Sequence, residues 1–576
     1  MRRAEGKRGP YLLFMAFITL LFIMLGVRLF HLQVVRGGYF RSLSSRNHIR
    51  VVASPAPRGI ISDRNGILLA DNVPAFMVSA IPSEFDSSRI ELVAAELGME
   101  SSQLNQMLQS ASGMPHRPIV LREGMTVEEA SPSAENLFRM PGVMFDVAPL
   151  RRYHMPQEFC HLLGYVGLSD THESYEGEVV GRAGLELALD DRLIGTPGLR
   201  REIIDAYGRI VEEFASSAVE EPVPGTGIRL TVDSRLQAIA TDKLSMTGLP
   251  GSAVVVNFET GDILCAAAVP TFDPNLFARG IRLDEWNALL DDPYKPLFSR
   301  AWAATYPPAS TFKMVTAAWL LSEGLIEEGF RPDPCFGSYT LGDTDFGCWS
   351  IHGRLDLVEA IARSCDIYFY RTCQLGTLDG LATFARRFGF GSTLCELLVG
   401  EKSGLVPDSD DLDRFYGEGG WGLGNLLNVS IGQGELLATP LQMAVSAGVI
   451  ASRGRMPLPG ILLDREPRGT VFAGPPLPDQ VWAPLIEGMS ETVESSRGTL
   501  HGVFAGSTLE FYGKTGTAEC LGDDHAMVIG FLEVPEPVAI CVVIEHGGHG
   551  GAVAGPVVRQ ILEGFYSSGT AGNGAE

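Results

Sequence analysis

The chain has 576 residues, 45% of them apolar and 20% charged, with 66 Gly and 35 Pro. That length suggests three to four domain-sized units or fewer large ones, and the composition excludes a wholly disordered or collagen-like chain. The 45 Lys+Arg against 69 Asp+Glu give a formal charge of −24, which argues against nucleic acid or polyphosphate as a partner, because both need a basic footprint.

Arg2, Arg3, Lys7 and Arg8 precede the stretch Tyr11 to Val27, whose only ionisable residue is Tyr11. This reads as a transmembrane signal anchor over 11–32, after a cytoplasmic tail over 1–10. A cleaved signal peptide fits less well, since the apolar run exceeds the usual length and no small-x-small site follows. The basic flank keeps the N-terminus in the cytoplasm and puts residues 33–576 outside. No second apolar run is long enough to span, so a single-pass protein is expected.

Residues 33–60 read as an extended, basic connector ending at Pro55, Pro57 and Gly59. From about 60 to 228, short alternating runs broken by turns such as Asp63-Arg64-Asn65-Gly66 suggest an α+β region, poor in catalytic groups. The expected units are therefore a non-catalytic pedestal over 33–228 and an α/β domain over 229–566. In the latter, strand-like runs at Ala253–Asn257, Ile263–Ala268 and 538–545 bracket helical stretches over 312–322 and 355–370, so the sheet pairs early and late segments. Residues 567–576 are small and polar and read as a disordered tail.

Within the second unit, Pro307-Pro308-Ala309-Ser310-Thr311-Phe312-Lys313 introduces an apolar run, so Pro308 and Ser310 mark a helix start. Ser310 and Lys313 share one helical face. A serine needs a base to become a nucleophile, and a desolvated lysine can be that base. Alone the pattern is weak: it also describes a capped helix with a solvated lysine. Ser364-Cys365-Asp366 follows, and then Lys514-Thr515-Gly516-Thr517. The latter is not a phosphate-binding loop, because Thr508 stands where the first Gly is required. The ordered triple Ser-x-x-Lys, Ser-x-Asp, Lys-Thr-Gly is the signature of penicillin-recognising serine acyltransferases.

On these motifs the chain resembles the class B penicillin-binding proteins, and most closely their elongation branch, penicillin-binding protein 2. Arg58-Gly59-Ile60-Ile61-Ser62-Asp63-Arg64-Asn65-Gly66, Gly181 to Glu186, Leu230 to Asp233 and Gly432-Gln433-Gly434 carry the likeness across the chain. Arg152-Tyr153-His154 with the segment from His161 to Gly167 is similar to the elongation branch, although His154 replaces its usual proline. The resemblance implies a transpeptidase fold, with an antiparallel sheet flanked by helices, on an elongated α+β pedestal. Ser310 would attack the penultimate D-Ala carbonyl of a stem pentapeptide, and Lys313 would accept its proton. Ser364 and Lys514 would return a proton to the leaving amine, with Asp366, where Asn is usual, orienting them. The Ser310 and Thr517 N–H groups would form the oxyanion hole, and Thr515, Gly516 and Thr517 the substrate-binding strand. An acceptor amine would complete the cross-link, and β-lactams would acylate Ser310. Because no glycan polymerase domain is recognisable, the implied partner is a SEDS-family glycosyltransferase in the same membrane.

Nine cysteines include the series Cys335, Cys348, Cys365, with His352 four residues after Cys348. Soft ligands at these spacings could meet at a tetrahedral zinc, and the elongation branch resembles this in carrying a structural zinc beside its active site. Asp333 competes with Cys335 as a ligand. A Cys335–Cys348 disulfide is the alternative. His546-Gly547-Gly548-His549 reads as a Gly-rich turn, Asp408 with Asp410-Asp411 as a solvated loop, and at least two of Trp286, Trp302 and Trp319 as core or cleft wall. Other functions remain open: a division-specific transpeptidase, a penicillin-binding sensor or scaffold, and a serine β-lactamase, for which no deacylating base is identifiable.

Overall fold

The computed structural model describes residues 9–38, 49–113, 118–125, 136–137, 140–169, 178–204, 210–466 and 469–569. Most of the N-terminal tail, part of the connector and residues 570–576 therefore lie outside the described residues. Helix α1 (Gly9–Phe30) continues to Val35 as a π-turn, and Tyr11–Val35 is long and apolar enough to cross a membrane, with none of its hydrophobic window buried. A helix whose apolar side chains find no protein partner needs an apolar medium.

The chain divides into two compact units that do not follow chain order. One holds residues 1–56, 76–148 and 196–223; the other holds 57–75, 149–195 and 224–576. In the first, Ile49–Ser54, Gly198–Ile204 and Ile210–Glu220 make an antiparallel three-stranded sheet in that order. Helices Ile90–Leu97 and Ser101–Ser110 enclose a core that includes Val78, Val93, Leu97, Leu104 and Leu121.

The second unit contains the segments that carry the family resemblance, among them residues 58–66 and 181–186. Arg58 and Arg151 converge on Glu186, with N···O distances of 2.8 and 2.6 Å, and all three side chains are buried. Removing one member of such a set would leave a buried charge unpaired, at a cost of about 3–5 kcal/mol.

The catalytic body of this unit is a five-stranded sheet between helices. In chain order its elements are α2 (Ser234–Ser245), β1 (Gly251–Asn257), β2 (Ile263–Val269), α3 (Lys313–Ser322), α4 (Leu357–Ala362), α5 (Asp366–Cys373), α6 (Pro440–Ala451), α7 (Asp479–Glu494), β3 (Tyr512–Ala518), β4 (His525–Leu532), β5 (Val538–Ile544) and α8 (Gly550–Gly569). The sheet order is β2-β1-β5-β4-β3, antiparallel throughout, so early strands do pair with late ones. Alternate residues face opposite sides: Val254, Val256, Met527, Ile529 and Val543 pack into one core, and Val255, Val528, Ile540 and Val542 into the other. Both faces being covered explains why these strands read as continuous apolar runs.

Three sequence expectations change. The stretch 355–370 is two helices, broken where Ser364 adopts φ 51°. Asp408 does not lie in a loop but N-caps the helix Ser409–Tyr416, with Asp411 returning a bond to its backbone. Helix α8 runs to Gly569, three residues into the stretch expected to be disordered.

Candidate active site

Ser310 sits on a single 3-10 turn (Ala309–Thr311) that feeds α3. The preceding Ala309 has φ 50°, a left-handed conformation costly for a residue with a Cβ. It is held by a backbone bond from Ala309 N–H to Gly432 C=O, 2.8 Å. Gly432 must be glycine: a Cβ there would lie 2.1 Å from the Ala309 oxygen. The Gly-Gln-Gly segment is thus the seat of the Ser310 turn.

Lys313, Ser364, Asp366 and Lys514 come together although up to 201 positions separate them (514 − 313). Lys313 is fully buried, and its ammonium donates to Asp366 Oδ1 (2.6 Å), the Ser364 carbonyl (3.1 Å) and Ser364 Oγ (3.3 Å). Lys514, also fully buried, donates to Ser364 Oγ (2.9 Å) and the Thr515 carbonyl (3.0 Å). The left-handed kink at Ser364 turns its hydroxyl and its carbonyl toward the same lysine. Burial, and then the neighbouring Lys313, push the Lys514 pKa well below the usual lysine value. Burial raises the Asp366 carboxyl above its ordinary range, with Lys313 opposing the shift.

Strand β3 forms the facing wall. Thr515 Oγ1 lies 2.8 Å from Thr499 Oγ1, Thr517 Oγ1 accepts from Gly550 N–H at 3.3 Å, and Gln433 Nε2 donates to the Thr517 carbonyl at 3.2 Å. A Cβ on Gly516 would meet Met527 at 2.6 Å and Thr311 at 3.0 Å, so glycine lets the strand close against the nucleophile turn. Glu545 accepts from both Arg300 (3.0 Å) and Tyr306 (2.8 Å) beside this wall. That contact, like those of Thr499 and Gln433, was missed in the sequence because no local spacing announces it.

Cys335, Cys348, His352 and Cys365 present ligand atoms all within 4.8 Å of one another. His352 Nδ1 is 3.3 Å from Cys348 Sγ and 3.7 Å from Cys335 Sγ. All nine cysteines are free, so the alternative Cys335–Cys348 disulfide is absent here. Asp333 is exposed and faces Arg371 at 3.5 Å instead. Hydrogen bonds from Cys365 and His352 lower the Cys348 thiol pKa against the effect of burial, while the hydrogen bond to Cys348, and then burial, raise that of Cys365. His352 Nε2 is buried without a hydrogen-bond partner among the described residues. Three thiols and one imidazole converging in this way fit a tetrahedral zinc donor set. Of the remaining eye-catching residues, Trp302 and Trp319 are buried in the core, and His546 lies in the turn after β5.

The chain matches known families over most of its length. The family model described as the penicillin binding protein transpeptidase domain matches residues 251–563, and that of the penicillin-binding protein dimerisation domain matches 53–230. The chain is 30% identical to the peptidoglycan D,D-transpeptidase MrdA of Acinetobacter baumannii, over 95% of this chain and 86% of the relative. It is 29% identical to MrdA of Escherichia coli K12, over 95% and 92%. Among solved structures, the penicillin-binding protein PBP2 of Helicobacter pylori, in complex with MreC, superposes with a TM-score of 0.79 at 28% identity, covering 91% of this chain and all of that one. A peptidoglycan synthase complex superposes at 0.71 and 30% identity, covering 97% and 98%.

Proposed function

The chain belongs to the penicillin-binding protein transpeptidases, and on that premise we propose how its residues divide the reaction. It is a peptidoglycan D,D-transpeptidase of the cell-elongation type, and it carries one N-terminal helix fit to be a membrane anchor. The observation that carries the proposed mechanism is the buried chain Lys313–Ser364–Lys514, with Asp366 closing one end.

As an ammonium, Lys313 has no lone pair with which to accept the Ser310 proton, and its three donors are engaged by Asp366 and Ser364. Asp366 supplies the way out. A buried carboxylate with a raised pKa takes a proton from Lys313 Nζ, and the freed amine then accepts the Ser310 hydroxyl proton as Oγ bonds to the penultimate D-Ala carbonyl carbon. The Ser310 and Thr517 N–H groups receive the oxyanion, and the Thr515 and Thr517 hydroxyls hold the substrate carboxylate. The C–N bond to the terminal D-Ala then breaks. Ser364 Oγ gives its proton to the leaving nitrogen and is reprotonated by Lys313, which recovers its own proton from Asp366. Lys514, its charge disfavoured by burial, fixes the Ser364 hydroxyl from the other side. Attack by an acceptor amine reverses the sequence and forms the cross-link.

Zinc held by Cys335, Cys348, His352 and Cys365 would be structural, tying the 335–352 loop to the residue between Ser364 and Asp366. Elemental analysis should find it, with loss on replacing Cys348 and His352 by Ala. The basic N-terminus would lie in the cytoplasm and the catalytic body outside. The relatives solved with other proteins support protein partners, and a SEDS-family polymerase in the same membrane is the one proposed. Intact mass after brief exposure to benzylpenicillin tests the nucleophile: the parent should carry one stable adduct and Ser310→Ala none. An adduct on the variant would overturn the assignment, and rapid drug loss without an adduct would indicate a hydrolase.

A further inference from the structure

Cys520, His525 and His546 form a second cluster whose ligand atoms all lie within 4.8 Å of one another. Sheet register assembles it: Ala518 on β3 faces His525 on β4, and Ala526 faces Ile544 on β5, so the turn after β3, the start of β4 and the turn after β5 meet at one corner. Cys520 Sγ lies 3.9 Å from His525 Nδ1 and 3.7 Å from His546 Nδ1. Tetrahedral zinc, with Zn–S of about 2.3 Å and Zn–N of about 2.0–2.1 Å, places sulfur and nitrogen ligands about 3.6 Å apart. The observed separations need only small side-chain adjustments to match.

Without a metal, these groups satisfy one another and the backbone. The thiol donates to the Asp523 carbonyl (3.1 Å), which also faces His546 Nδ1 at 2.9 Å, and His525 Nδ1 accepts from His546 N–H at 3.1 Å. His546 adopts φ 54°, a left-handed conformation uncommon outside glycine, which fixes its place at the corner. Glu519, Asp523, Asp524 and Glu545 flank the three residues in sequence, an acidic setting that favours a cation. Cys520 and His525 are half-buried and His546 is exposed, so an ion can enter from solvent.

We propose that Cys520, His525 and His546 bind a borderline-soft divalent metal ion of the zinc class, with its fourth position open, and that the ion braces the substrate-binding strand. The brace has a physical route. Gly548 N–H donates to the Asp524 carbonyl (2.8 Å), and Gly550 N–H donates to Thr517 Oγ1, so the β5–α8 turn already leans on both the β3–β4 turn and the Thr517 hydroxyl. An ion joining Cys520 to His546 would lock those two turns together.

The test is equilibrium dialysis of the full chain in detergent against buffered Zn2+, with metal analysis, for the parent, Cys520→Ser, His546→Ala and Cys348→Ala. Cys520→Ser and His546→Ala should each hold one ion fewer than the parent at the same free zinc, and Co2+ loading should lose thiolate charge-transfer intensity in Cys520→Ser. The buried cysteine cluster is read separately through Cys348→Ala, so its failure to bind would not imitate failure here. Equal zinc content in the parent and both rim variants would overturn the site. Benzylpenicillin acylation should respond to added zinc in Cys348→Ala and not in the double variant Cys348→Ala/Cys520→Ser; zinc binding at this corner with no effect on acylation would overturn the brace. Retained thermal transitions in the variants exclude misfolding as the cause.

Discussion

The two walls of the catalytic cleft are built on different principles. The helical wall, from Ser310 to Asp366, buries charge and pairs it: every Lys313 donor is engaged, one of them by a carboxylate. The strand wall, β3, offers hydroxyls and backbone groups, and its one buried cation, Lys514, is pushed toward neutrality. In the proposed mechanism, proton traffic therefore belongs to the first wall and substrate holding to the second.

The sharpest way to break this division is Lys313→Ala. Acylation by benzylpenicillin, followed by intact mass against time, should slow about 10²–10⁴-fold, the range for loss of a general base. A loss of only a few-fold would move the base elsewhere. Next is Asp366→Asn. In the parent the reactive pair, neutral lysine with protonated Asp366, carries as many protons as the resting pair. Acylation should therefore fall only as pH drops through the raised Asp366 pKa. In the Asn variant Lys313 must lose its proton to solvent, so the acidic limb of the pH–rate profile should move to higher pH. An unmoved limb would remove Asp366 from proton transfer. The smallest effect should come from Thr517→Val, which deletes a strand-wall hydroxyl: acylation efficiency should fall about ten- to a hundredfold, in keeping with about 1.5–3 kcal/mol for one hydrogen bond to a charged group, and the pH profile should not move. A moved profile would mean that the strand wall also handles protons.

The same division decides what could be read from the sequence. Ser310 and Lys313 are legible because a helix turns three-residue spacing into proximity, and the Cys348–His352 pair is legible because the two residues share one short loop. Ser364 and Lys514 are 150 positions apart, so only the ordered set of motifs joined them. The break at Ser364 escaped notice because the apolar pattern over 355–370 runs through it, whereas a single left-handed residue interrupts the backbone without leaving a mark on hydropathy. Asp408 read as loop because the short helix it caps is polar. Cys520, His525 and His546 could not be found together at all, since only the β3–β4–β5 register makes them neighbours. The interleaving of the two compact units is equally invisible locally, for it depends on which distant segments pair.

The Ser364 hydroxyl, held between Lys313 at 3.3 Å and Lys514 at 2.9 Å, sets a limit on how resistance to β-lactams can evolve in this enzyme. With the roles proposed above, expelling D-Ala and admitting the acceptor amine both pass protons through that single oxygen. A heritable change that disturbs it would slow capture by the antibiotic and weaken wall synthesis together. Selection has more freedom at positions that alter how a drug is seated than at those that move its protons, so variants from drug-exposed populations should spare Ser364 and its two lysines.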